Sequence, residues 1–161
     1  MGGKKMEMKM LKNTGFKSLG GGVALAGAFV ISFAMGAQAA TPTVITLTQT
    51  PCQFVEPEHG TDHGFKSTKK ADCEAINAKS GKERLAKSKV MKLKAGEYIF
   101  RVTNKSVPYS LGFYIRGASL VDRALLPSTS GGGLTKGKTK DYNIKLKPGN
   151  YVFSCPLNPT V

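Results

Sequence analysis

From Thr43 to Thr50 the chain reads TVITLTQT, apolar and hydroxyl residues in alternation, rich in β-branched types. A period of two in such residues predicts a strand with one buried face. The same period returns in EYIFRVTN, Glu97 to Asn104, where Tyr98, Phe100 and Val102 fall on one face and Ile99, Arg101 and Thr103 on the other. Val90–Lys94 is expected to be the strand before it, joined through a turn at Ala95-Gly96. YSLGFYIRG predicts a further strand, and TKDYNIKLKPGNYVFSC a strand–turn–strand unit about Lys147-Pro148-Gly149. LKAGEYIFRV and LKPGNYVFSC look alike, each sending an aromatic face inward and leaving its turn at one end.

Two stretches break this rhythm. PCQFVEPEHGTDHGFKSTKK, with its prolines and glycines, reads as mostly loop. In KADCEAINAKSGKERLAKS, Ala71, Ala75, Ile76 and Ala78 approach helical spacing behind Asp72 and Glu74, which predicts a short helix interrupted at Ser80-Gly81. ASLVDRALLPSTSGGGLTKGK is expected to be a connection without regular structure across its three consecutive glycines. Its glycines lack the spacing of a phosphate-binding loop. Short strands separated by turn signals predict an all-β, Greek-key β-sandwich with a short helical insertion at about 60–88.

The first 39 residues carry a different pattern. Five lysines precede Gly20–Gly36, an apolar run without charge, and Ala37 and Ala39 then supply the small residues of a cleavage site. The run is short for a membrane span. Residues 1–39 are therefore expected to be an export signal, leaving a domain over 40–161 in a bacterial periplasm, with no stable membrane span after cleavage. Cleavage would remove five lysines and Glu7, leaving 19 basic against nine acidic residues, a net of +10. Such a charge often suggests nucleic acid. Export argues against that, and the lysines are spread over strands and loops as on a solvated face.

All three cysteines, Cys52, Cys73 and Cys155, lie beyond the signal. Export favours a disulfide for two of them, and the odd one is free, paired with another chain or bound to metal. Cys52 and Cys155 stand at strand ends expected at one end of the sandwich, so they are candidates for a disulfide or for a thiolate pair holding a soft ion such as Cu(I). A Cys52–Cys73 disulfide stapling the insertion is a further alternative. Glu56, Glu58, His59, Asp62 and His63 fall between those two cysteines, and their spacing fits no zinc-finger pattern. His63, before Gly64-Phe65, is the favoured nitrogen donor, with Glu56 a further ligand candidate. His59 reads as an exposed loop residue. No acid pair or Ser-His-Asp arrangement is visible, and the chain is not expected to be an enzyme.

At VTNKSVPYSLGFYI and LKPGNYVFSC the chain resembles the cupredoxins. That family typically has an asparagine-bearing turn leading to a first histidine ligand, and a late strand ending in a cysteine ligand. A second histidine and often a methionine follow that cysteine. The resemblance covers about Thr43 to Val161. Here Tyr109 or its neighbours take the first histidine position, and Pro156, Leu157, Asn158, Pro159 and Thr160 follow Cys155. PCQFVEPE and SCPLNPT are also similar to the cupredoxin-like domain of periplasmic Efe-type iron-uptake components, which pairs an early with a late cysteine. The resemblance implies an exported copper-binding protein acting in electron transfer or metal handling, with an acidic redox or metal-transfer partner. Cys155, Cys52, His63, Cys73 and Glu56 are the ligand candidates. The alternative is a disulfide-stapled structural or interaction module without metal. Cupredoxins also return from the cysteine loop into a final core strand, which this chain ends too early to form.

Overall fold

A computed structural model describes residues 41–161 and the backbone of Lys4–Met6. The expected export signal, those three residues apart, lies outside the described residues. Eight strands form two four-stranded sheets: β1 (Lys4–Met6), β2 (Thr43–Thr50), β3 (Gln53–Phe54), β4 (Gly96–Asn104), β5 (Leu111–Gly117), β6 (Thr129–Leu134), β7 (Thr139–Leu146) and β8 (Tyr151–Ser154). One sheet runs β1-β8-β5-β6 and the other β3-β2-β4-β7. Two helices, α1 (Lys70–Lys87) and α2 (Leu120–Leu125), and a 3-10 turn at Glu56–Glu58 complete the elements among the described residues. The fold is the all-β sandwich with a helical insertion that the sequence predicts.

The inward faces follow the period of two. Tyr98, Phe100 and Val102 of β4 are buried, as are Tyr142 and Ile144 of β7 and Tyr151 and Phe153 of β8. Phe113 joins the sheets, with ring centroids 5.8 Å from Phe100, 5.0 Å from Tyr142 and 6.1 Å from Phe153. Phe54 of the short β3 meets Phe153 edge-on at 5.2 Å. Offset and edge-to-face rings at these distances add to the burial that drives the core together. β2 pairs in parallel with β4, Thr43 opposite Tyr98 and Gln49 opposite Asn104, so the insertion serves as their crossover.

Four expectations change. Val90–Lys94 is not a strand, because β4 starts at Gly96; Met91 and Leu93 pack against the core from an irregular segment. The Lys147–Asn150 turn does not close a hairpin. It carries the chain from β7 in one sheet to β8 in the other, with the Tyr151 hydroxyl bonded to the Lys147 N–H and C=O at 3.2 Å each. The triple glycine lies within a strand. β6 pairs with β5, Gly131 opposite Phe113, and Gly131 has the room to pass under the Tyr142 ring. The helix is not interrupted at Ser80-Gly81, since both continue α1 and Gly81 is buried against Val161.

The connection after β5 folds because its first residues cap one another. The Ser119 hydroxyl accepts the Asp122 N–H at 3.0 Å and donates to the Asp122 carboxylate at 2.8 Å, a capping box starting α2. Gly117 lets α2 close down on β5: a Cβ there would stand 2.2 Å from the Asp122 carbonyl carbon. Backbone cannot move aside as a side chain can. Gly117→Ala is expected to destabilise the fold by about 2–3 kcal/mol, read as a lower denaturation midpoint.

Candidate functional site

Cys52, Cys73 and Cys155 come to the same end of the sandwich, where β2 and β8 finish and α1 docks. Cys52 follows Pro51 in a left-handed backbone conformation, φ 64°, uncommon for a residue with a side chain. That turn aims its sulfur at the first turn of α1. Cys52 and Cys73 form a disulfide with Cα atoms 4.8 Å apart. The staple is thus Cys52–Cys73, and Cys155 is a free, buried thiol.

Asn158 builds the corner between them. Its side chain is fully buried, accepts the Cys52 N–H at 2.7 Å and donates to the Thr50 carbonyl at 3.0 Å. Asn77 of α1 donates to the Pro159 carbonyl at 2.8 Å. The segment after Cys155 is therefore tied to β2 on one side and to α1 on the other.

Arg84 completes the anchorage. Its guanidinium grips both oxygens of Glu58, at 2.8 and 2.7 Å, with each side chain only 7 % exposed. The remaining donors reach Asn77 Oδ1 at 2.9 Å and the Cys52 carbonyl at 3.1 Å. The fork also lies over the Phe65 ring, 4.8 Å from its centroid. Buried charge is costly unless paired and hydrogen-bonded, and this pair is both. The buried stripe of α1 is Cys73, Gly81 and Arg84, whereas Ala71, Ala75 and Ala78 face solvent. The helix is held by a covalent bond and polar anchors more than by an apolar face.

The ligand candidates occupy separate settings. Glu56 Oε2 accepts the Thr48 N–H at 2.8 Å. His63 Nε2 lies 2.8 Å from Glu58 Oε2, its ring stacked on Phe65 at 5.2 Å, and its N–H donates to Gln53. His59, on the exposed surface as expected, meets the Lys87 carbonyl at 2.8 Å. Cys155 Sγ accepts the Gly112 N–H at 3.4 Å. Burial pushes this thiol up, against the opposing pull of the Gly112, Leu157 and Asn158 N–H groups. The disulfide unites Cys52 with Cys73, but the structure does not gather the five candidates. Among the described residues, no three His, Cys, Asp or Glu side chains are grouped as a metal site requires.

No family model, curated protein or solved structure matches this chain.

Asn104 holds the turn before β5 as a buried hub. Its amide donates to the carbonyls of Val107, Tyr109 and Leu134, and its carbonyl accepts the Val107 N–H. Tyr109, at the position the resemblance assigns to a first histidine, bonds Ser67 of the insertion at 2.9 Å. Burial is the main cause raising its pKa, with Cys155 a smaller one. On the outer face of β5 and β6 a shallow open groove of about 670 Å³ runs from Arg116, stacked on Tyr114, to Leu157. Arg84, Asn158 and Asn104 are the residues that sequence reasoning missed as organisers. Asn158, an asparagine inside a proline-bounded loop, carries a local signal, and Asn104 lies in the stretch that resembles the cupredoxin asparagine-bearing turn; Arg84 carries none.

Proposed function

We propose that this chain is an exported, non-catalytic β-sandwich binding module of cupredoxin-like type, its insertion locked onto the cysteine end. The Cys52–Cys73 disulfide carries this reading. It commits two of the three thiols to a covalent staple, and Arg84 with Glu58 reinforces it from within. A rigid end of this kind suits a surface presented to a partner, since little order is lost on binding.

A second reading, copper held at Cys155 for electron transfer or metal handling, has one observation in its favour. The Gly112 N–H donates to the Cys155 sulfur at 3.4 Å, a contact that favours a thiolate, the form that binds metal, although burial outweighs it and leaves the thiol's pKa raised. The nitrogen donors would have to come from elsewhere than the disulfide.

Counting thiols tests the staple that both readings share, and metal analysis separates them. Native protein at pH 8 is expected to react very slowly with iodoacetamide, because Cys155 is buried and its raised pKa keeps it protonated. Denatured but unreduced protein should expose one thiol, and reduced protein three. Three thiols without reductant would overturn the module reading. Stoichiometric copper in the exported protein, lost in Cys155→Ser, would replace it with the second.

A further inference from the structure

The end of the sandwich opposite the cysteines carries α2, and α2 is turned inside out. Leu120, Val121 and Leu125 are 81, 66 and 69 % exposed, the three most exposed large apolar side chains among the described residues. Six residues cannot bury two faces. The capping box and the close approach to Gly117 fix the helix by its backbone and Asp122, and Leu126 packs on Gly149 of the β7–β8 turn. The three apolar side chains are left on a rigid outward tip. Scattered exposed apolar residues need no explanation, but a contiguous group on a braced element does.

The surroundings are basic. The pairings of Gly96 with Leu146 and of Gly117 with Tyr151 put both turns and α2 at this one end. Lys94, Arg123 and Lys147 stand there exposed, and none makes an ion pair among the described residues. Lys145 is offset by Glu97 at 3.3 Å, and Asp122 is engaged in the cap. An apolar tip within a collar of uncompensated cations is the arrangement that inserts into an anionic lipid surface.

The chain enters at the same end. Thr43 opens β2 opposite Tyr98, beside the Ala95-Gly96 turn, and the apolar run Gly20–Gly36 stops seven positions before it. If that run is the export signal proposed above, this end follows it to the bilayer.

We propose that the α2 end, through Leu120, Val121 and Leu125 with Lys94, Arg123 and Lys147, docks peripherally on an anionic phospholipid bilayer. This names the partner of the binding module. It stands on residues remote from the cysteines, so the thiol count neither supports nor sinks it.

The test uses the protein as the cell exports it, its N-terminus read from the intact mass. Leu125→Cys and, at the opposite end, Leu157→Cys are each labelled with bimane under native conditions, where Cys155 is buried. Vesicles hold equal parts of phosphatidylglycerol and brominated phosphatidylcholine. The label at 125 should shift to the blue and be quenched, and the label at 157 should do neither. Adding Leu120→Asp and Val121→Asp, or Lys94→Glu and Lys147→Glu, should weaken vesicle binding about tenfold or more, with circular dichroism and melting unchanged. No quenching at 125, or equal quenching at 125 and 157, would overturn the proposal. So would quenching at 125 that is indifferent to phosphatidylglycerol and to all four substitutions. A folded protein whose 125 label responds to a protein ligand and not to lipid would assign the tip to a protein partner instead.

Discussion

Replacing Arg84 with alanine is expected to destabilise the fold by about 3–5 kcal/mol. The cost is not the loss of an attraction alone. Glu58 is 8 % exposed as a residue, and without the guanidinium its carboxylate is left buried with only His63 in reach. The Cys52 carbonyl and Asn77 Oδ1 lose donors in the same step. Lysine should rescue little, because a point charge cannot meet both oxygens of Glu58 and two further acceptors at once. Glu58→Leu with Arg84→Met should recover most of the loss, since an apolar pair of similar size removes the orphaned charge. Chemical denaturation of Glu58→Leu, Arg84→Met and the double variant measures the coupling. A loss below about 1 kcal/mol for Arg84→Ala, the value of an exposed pair, would show that the pair is solvated in solution.

Removing the disulfide, as Cys52→Ala with Cys73→Ala, is expected to cost about 3 kcal/mol. The bond spans 21 positions, and in the unfolded chain it forbids all conformations in which those ends separate. The double substitution avoids leaving an orphaned half-cystine that could pair with Cys155. Cys52→Gly with Cys73→Ala should lose less, because position 52 has φ 64°, which glycine adopts freely and alanine does not. A guanidinium titration comparing both variants with the oxidised parent checks the order. Equal stability of parent and alanine variant would mean that Arg84 and Asn158 suffice to hold the insertion.

The sandwich was legible because burial and alternation coincide along β4 and β7, and β8 is buried throughout as its aromatic-apolar run suggests. Tyr98, Phe100 and Val102 announce a buried face in any strand. The helix was legible in existence but not in orientation. Its alanines suggested an apolar face, while the residues that dock it are a half-cystine, a glycine and an arginine. Arg84 in KERLAK has no feature distinguishing it from a solvated arginine until Glu58, 26 positions earlier, is folded beneath it. β6 was hidden for the converse reason. Ser-Gly-Gly-Gly carries almost no side-chain pattern, and what makes it a strand is the ladder offered by β5. The cysteine pairing stayed open because three thiols at one end of a sandwich permit more than one bridge.

The order of strands has a kinetic consequence. β7 and β8 adjoin in sequence yet lie in different sheets, and β2 finds its partner β4 only after the whole insertion. Few pairings can therefore form locally, which places the domain among slow folders, in milliseconds to seconds. The Cys52–Cys73 bridge cuts the loop between β2 and β4 to roughly half, worth about 0.6 kcal/mol of closure entropy. Oxidised chains should refold about threefold faster than reduced ones, so early oxidation would also shorten the time β2 spends unpaired.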